Sequence, residues 1–558
     1  MRNVAARLGT LARRMPSQGA WAVAVLGAAL VVAGCLGPWA QFPFGYPGKM
    51  TLSGFPGGAR VFPLALVAVT PVLAWAGVPR RRAGLVGAGG IIAITGGNLL
   101  SIADGGGGLG AVAWGAWVAL VGGLLLAFAF AALPDDPEPA EWRRLPAPLE
   151  LVAIAVALGA LLYAVVKGLD IVESSRFLSF VAFVTTVAFV LQAIGVLAWL
   201  RDASARQRPA AIMLAAATAA AFPFTQGGSG YWVRVFASIG VFAAAAIGLN
   251  VVVGLAGLLD LGYIAFFGVG AYVGGLFANA GLTTMHIHLP FLLVVLLGAS
   301  IAAVFGVIIG APTLRLRGDY LAIVTLGFGE IFRITANNWV GLTRGPNGIA
   351  QIPNVAVGGF DFGESHRVLG VELAGFANYY FIELVLVAVA IVAFTRLNES
   401  RIGRAWVAIR EDETAAAAMG INTVRLKLLA FAIGAFMAGA AGTVNSHVTT
   451  QVSPDSYTFL ESILLLAAVV LGGMGTVTGA LLGATVLFVI PEKLRSFQDK
   501  RLLLFGIALI LLMRFRPEGI VASRRRQREF HDDDSGDNTG DNTAADAMSG
   551  PPNAPVAT

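Results

Sequence analysis

The chain has 558 residues, 57% of them hydrophobic and only 13% charged, with a net charge of +6 and a mean hydropathy of +0.77. A soluble domain carries about 25% charged residues, and surface-to-volume scaling leaves it no room to hide this much apolar surface. A cytosolic enzyme, a disordered chain and a secreted disulfide scaffold are therefore excluded. The single cysteine, Cys35, rules out an intramolecular disulfide and a cysteine metal cluster. The positive charge follows a membrane logic and does not point to nucleic acid.

These proportions predict an all-α, polytopic integral membrane bundle of roughly 14–16 crossings, at about 20 residues each. Apolar stretches near 20–40, 61–79, 83–103 and 109–133 form an N-terminal extension, 1–133, of about four spans. The first carries Val32, Ala33, Gly34 and Cys35, which resemble a lipoprotein cleavage box; the long basic start and the full-length apolar run favour an uncleaved span instead. Residues 134–148, PDDPEPAEWRRLPAP, form a charged, Pro-rich linker. Stretches near 149–167, 177–200 and 209–224 add about three spans over 149–225.

A core over 226–522 follows, with apolar stretches near 231–249, 262–280, 290–311, 320–338, 378–395, 428–446, 459–474, 475–491 and 501–515. The pair flanking Gly475 reads equally as one re-entrant element. Residues 523–558 open with SRRRQR, turn acidic and end in Gly, Asn, Ala and Pro, the composition of a disordered cytoplasmic tail. Starting with Arg2, Arg7, Arg13 and Arg14 inside, alternate crossings keep most basic residues on one side, as short cytoplasmic loops do. Both termini are then cytoplasmic.

The chain has no G-x-x-x-x-G-K-[ST] phosphate loop and no H-E-x-x-H, and its five histidines form no coherent ligand set. No catalytic residue and no metal site is expected. Small residues at helical spacing are frequent: Gly475, Gly479 and Gly483 suggest one face, Gly306 and Gly310 another. Such faces allow close backbone approach in lipid, within the chain or against a second subunit, and a residue such as Leu481 would face lipid.

Charge inside a span is costly. Glu330 and Arg333, three apart on one helix, can pair; with Thr325, Asn337 and Asn338 nearby they form either a structural clamp or part of a pathway. Asn250 and Asp260 bracket the glycine-rich VVVGLAGLLD, which reads as a broken helix and a cavity wall.

The loop 396–427, RLNESRIGRAWVAIREDETAAAAMGINTVRLK, carries the strongest local signals. Glu411, Asp412 and Glu413 favour the positive end of a helix, the run including Ala415 and Ala416 propagates it, and Gly420 stops it. One short helix is expected over 411–419. Asn422 or Thr423 then caps the next helix, which enters the membrane past Arg425 with Lys427 at its base. A mere tether would need no such definition.

The strings GLNVVVGLAGLLDLGYIAFFGVGAY, LRLRGDYLAIVTLGFGEIFRI, RGPNGI, GRAWVAIREDETAAAAMGI, SPDSYTFLESILLLAAVVLGGMG and RFRPEGI resemble the LivM-like permease subunit of branched-chain amino-acid ABC importers. The resemblance runs from about 230 to 522, in the family's motif order, and leaves the region before it unexplained. It implies a bacterial inner-membrane importer for leucine, isoleucine and valine. This subunit would pair with a LivH-like permease, with two cytoplasmic ATPases that use ATP and with an extracytoplasmic substrate-binding protein; it would bind no cofactor itself. The loop resembles the importer coupling motif E-A-A-x-x-x-G, with Thr414, Ala415 and Ala416 in register with Gly420 and the acid, Glu413, one place early. Urea, short amides or aromatic acids are alternative cargoes of the same transporter class, and an ion-coupled secondary transporter is the remote alternative.

Overall fold

The computed structural model describes residues 17–40, 57–75, 80–105, 108–134, 144–171, 174–226, 230–278, 289–313, 319–368 and 370–493, with a few positions between 506 and 521. The expected tail, most of the linker, most of the last apolar stretch and the His286 and His288 pair lie outside the described residues. The chain divides into two compact units, Met1–Phe222 and Pro223–Thr558.

The first unit contains α1 (Ser17–Leu36), α2 (Val61–Trp75), α3 (Arg80–Gly105), α4 (Trp114–Ala132), α5 (Ala147–Asp170), α6 (Ser174–Ala193), α7 (Val196–Arg206) and most of α8 (Arg208–Thr225). Its core forms where α1 and α3 pack on α4. Glycine makes this possible: a Cβ on Gly122 would come within 2.7 Å of the Gly27 carbonyl, so the helices touch backbone to backbone. Asn98 donates to Ser179 at 2.7 Å, satisfying a buried amide between α3 and α6.

The second unit opens with α9 (Tyr231–Asn250), which continues as a π-helical turn, Val251–Leu255, before an irregular segment leads to α10 (Tyr263–Ala278). Then come α11 (Phe291–Thr313), α12 (Asp319–Asn338), the single turn α13 (Val340–Thr343) and three two-stranded antiparallel pairings. Two are hairpins, β2 (Ala356–Val357) with β3 (Phe360–Asp361) and β4 (His366–Val368) with β5 (Val371–Leu373). The third joins β1 (Ile349–Ala350) to β6 (Gln451–Val452), placing Ile349 opposite Val452. Helices α14 (Gly375–Glu399), α15 (Arg401–Glu411), α16 (Glu413–Ala418), α17 (Thr423–Thr449), α18 (Phe459–Gly472) and α19 (Val477–Lys493) complete the unit. Helix α17 is its centre, with α9, α10 and α11 packed around it.

Among the described residues ten helical segments are long and apolar enough to cross a membrane: α1, α3, α4, α5, α6, α9 with its π turn, α11, α14, α17 and α18 with the residues just before it. Helix α10 is apolar but shorter. The remaining expected stretches near 61–79, 209–224, 320–338 and 475–491 are helical too, as α2, α8, α12 and α19.

Candidate functional site

The loop 396–427 folds as two helices, where one was expected. Ser400 accepts a hydrogen bond from the Gly403 amide at 3.1 Å and starts α15. One face of α15 is pinned inward: Trp406 is fully buried and its indole donates to the Leu426 carbonyl at 2.7 Å. Glu411 is the last residue of α15, and Asp412 is extended at φ −151°. The Asp412 carboxylate accepts from the Thr414 and Ala415 amides at 2.8 and 3.0 Å, satisfying two donors that a helix start leaves open. The expected helix over 411–419 is therefore shortened to Glu413–Ala418, because Asp412 serves better as a cap than as a helical residue.

Gly420 has φ +82°, Gly420 N bonds to Ala417 O at 3.0 Å and Ile421 N to Ala416 O at 3.1 Å. That pair is a Schellman stop, and it requires the left-handed residue. Asn422, not Thr423, caps α17, accepting from the Arg425 amide at 3.1 Å. Ala416 is buried, whereas Asp412, Glu413, Ala415, Arg425 and Met419 are exposed; Met419, at 84%, is an apolar tip that sequence reasoning passed over. Glu413 is not unengaged: its Oε2 lies 2.6 Å from the Nζ of Lys427, which is mostly buried. The pair braces α16 against the first turns of α17.

Behind this loop lies the broken helix. The π turn Val251–Leu255 is fully buried, as irregular backbone at membrane depth must be. Asn250 donates to the Thr476 carbonyl at 2.9 Å and accepts from the Gly475 amide at 2.8 Å, tying the break to the turn between α18 and α19. Arg410, on α15, donates to the Gly254 carbonyl at 2.8 Å, and its stem lies over Gly257, which has φ +70°. Asp260 accepts from the Gly262 amide at 2.9 Å, and Thr325 from the Leu261 amide at 3.0 Å. A Cβ on Gly262 would collide with the Thr325 carbonyl, so α12 touches the far edge of the break directly.

Thr325 is thus buried against the break and does not share a face with the charged pair. Glu330 accepts two bonds from Arg333 Nε, at 3.0 and 3.2 Å, and Arg333 Nη1 reaches Asp455 at 3.8 Å. All three side chains are partly or largely exposed on this chain, and Ile323, Ile331 and Ile334 are exposed on the same helix.

The glycine faces are internal. Gly306 and Gly310 lie against Phe431, Ala435 and Leu428 of α17. Gly479 and Gly483 lie against the carbonyls of Gly472 and Ala468 in α18. Gly475 does not belong to that face: it sits in the preceding turn at φ +78°. Leu481 packs against the core, and the exposed neighbour is Leu482. Among the described residues no group of His, Cys, Asp and Glu is placed to hold a metal.

A family model described as the permease component of branched-chain amino acid transport systems matches residues 231–513, from the first residue of α9 past the loop and the α18–α19 hairpin. The chain belongs to this permease family. It is 42% identical over 301 residues to the high-affinity branched-chain amino acid transport system permease protein LivM of Salmonella typhimurium, covering 51% of this chain and 69% of that protein. LivM of Escherichia coli is 41% identical over the same length. The high-affinity branched-chain amino acid transport system permease protein LivH of Salmonella typhimurium is 30% identical over 286 residues, covering 50% of this chain and 91% of that protein. No solved structure matches the chain. The permease is a multi-pass membrane protein, and its α1–α8 precede the matched region.

Proposed function

We propose that this permease is one transmembrane subunit of an ATP-driven importer of branched-chain amino acids. The reading rests on the match over 231–513, within which the capped helix α16 stands exposed. Two cytoplasmic ATPases bind and hydrolyse ATP; this chain has no phosphate loop and takes part by receiving their motion. Residues 396–427 are the coupling loop, with α16 seated on one ATPase and Met419 and the acidic start presented to it. A LivH-like second permease completes the pathway, and its own similarity to this chain suits a pair of related subunits around one path. The outward face of α12, with Glu330 and Arg333, lines that path. An extracytoplasmic binding protein delivers the cargo. Both termini lie in the cytoplasm of a bacterial cell, a reading supported by the bias of basic residues toward one side, and the subunit resides in its inner membrane.

Competition for the cognate binding protein and for uptake tests the cargo. Leucine, isoleucine and valine should each stabilise the binding protein in a thermal-shift assay and compete in transport. Uptake of urea, short amides or aromatic acids with indifference to leucine would overturn the assignment.

A further inference from the structure

Nothing in the coupling motif accounts for Arg410. It stands near the end of α15, partly buried, and its guanidinium donates to the carbonyl of Gly254 inside the π turn. Two features make that contact specific. A π turn leaves carbonyls without their usual helical partners, and Gly254 O receives a charge-assisted donor. The stem of Arg410 also covers Gly257, where a Cβ would stand 2.5 Å from its Cγ, so the left-handed glycine leaves the room the side chain occupies. At the same turn, packed against Gly254, Asn250 holds both the Gly475 amide and the Thr476 carbonyl. The helix pair, the break and the α18–α19 turn are therefore joined by two adjacent side chains, while Trp406 and the Glu413–Lys427 pair hold the helix pair to α17.

We propose that Arg410 is the positioning residue that carries displacement of α15 and α16 into the broken segment after α9, and that Asn250 passes it to the α18–α19 hairpin. The proposal rests on the coupling reading of the loop. Buried two-state elements transmit displacement because packed segments are rigid and respond as discrete arrangements. At the break, side-chain bonds join α15 to the π turn that follows α9, and the end of α9 to the α18–α19 turn.

The test uses the complete reconstituted transporter with its binding protein and leucine. R410Q should keep the ATPase subunits and unstimulated hydrolysis, yet lower both leucine-stimulated hydrolysis and leucine moved per ATP by about tenfold, the scale of losing one charge-assisted bond. R410K, which keeps a charged donor, should recover part of that ratio, and N250A should lower it as R410Q does. A residue that merely packs would reduce accumulation while leaving leucine per ATP at the parental value in whatever complex is recovered. Parental stimulation and ratio in R410Q would overturn the proposal, as would loss of accumulation in both Arg410 variants. E413Q and G420V separate the two levels. If they uncouple transport while R410Q does not, the coupling loop stands and only the role of Arg410 falls.

Discussion

Glu413 and Lys427 are fourteen positions apart in the chain yet 2.6 Å apart in space, and only the lysine is mostly buried. Removing the acid leaves an ammonium in a poorly hydrated site, while the exposure of Glu413 screens the attraction; the coupling between them should be about 1 kcal/mol. A double-mutant cycle of E413Q and K427Q, read by thermal unfolding of the purified permease, should be non-additive by that amount. Strict additivity would mean the contact does not brace α16. Gly420 poses a purely backbone question, since nothing lies within 4 Å of where its Cβ would be. G420V should cost about 1–2 kcal/mol through its left-handed φ, and G420N clearly less; equal thermal midpoints for both would contradict the Schellman stop. The acidic start and the stop at Gly420 were legible in the sequence because they are local signals, whereas the cap was narrowed only to Asn422 or Thr423. The Glu413–Lys427 pairing was not, because it depends on how sharply the chain reverses at Gly420.

Helices α18 and α19 form a hairpin whose closest contact is backbone to backbone, beside a small cluster of Ala468, Leu471 and Leu487. Gly483 lies against the Ala468 carbonyl so closely that even one methyl group would collide with it. G483A should destabilise the hairpin by about 1–3 kcal/mol and lower the amount of permease in the membrane, whereas L482A, at an exposed position, should accumulate normally. Normal accumulation of G483A, measured by quantitative blotting of membranes, would show that the two helices can separate freely. The sequence announced glycines at helical spacing but could not say that Gly475 leaves the helix, because glycine serves both close helix packing and a positive-φ turn. The broken helix after α9 was readable from VVVGLAGLLD. Its fastening was not: Asn250 finds its partner 225 residues away, and no periodicity carries that information.

At the scale of the whole molecule, hydropathy and the placement of basic residues yielded an all-α membrane bundle, and the motif strings yielded the permease family, which the match over 231–513 establishes. The first unit, Met1–Phe222, was legible only as apolar helices, since composition reports that a segment belongs in lipid and nothing about its task. Likewise, the charged pair Glu330–Arg333 was legible as an ion pair, but that it faces outward from this chain required the packing of α12. The central claim is that the exposed helix α16 couples ATP hydrolysis in partner subunits to import through this chain. Its most direct test is leucine uptake into proteoliposomes holding the complete transporter, with loaded binding protein on one side and ATP on the other. Uptake should require both, and in G420V complexes that retain their ATPases it should fall together with leucine-stimulated hydrolysis. Uptake that proceeds without ATP on an ion gradient, or that matches the parent in G420V, would contradict the account.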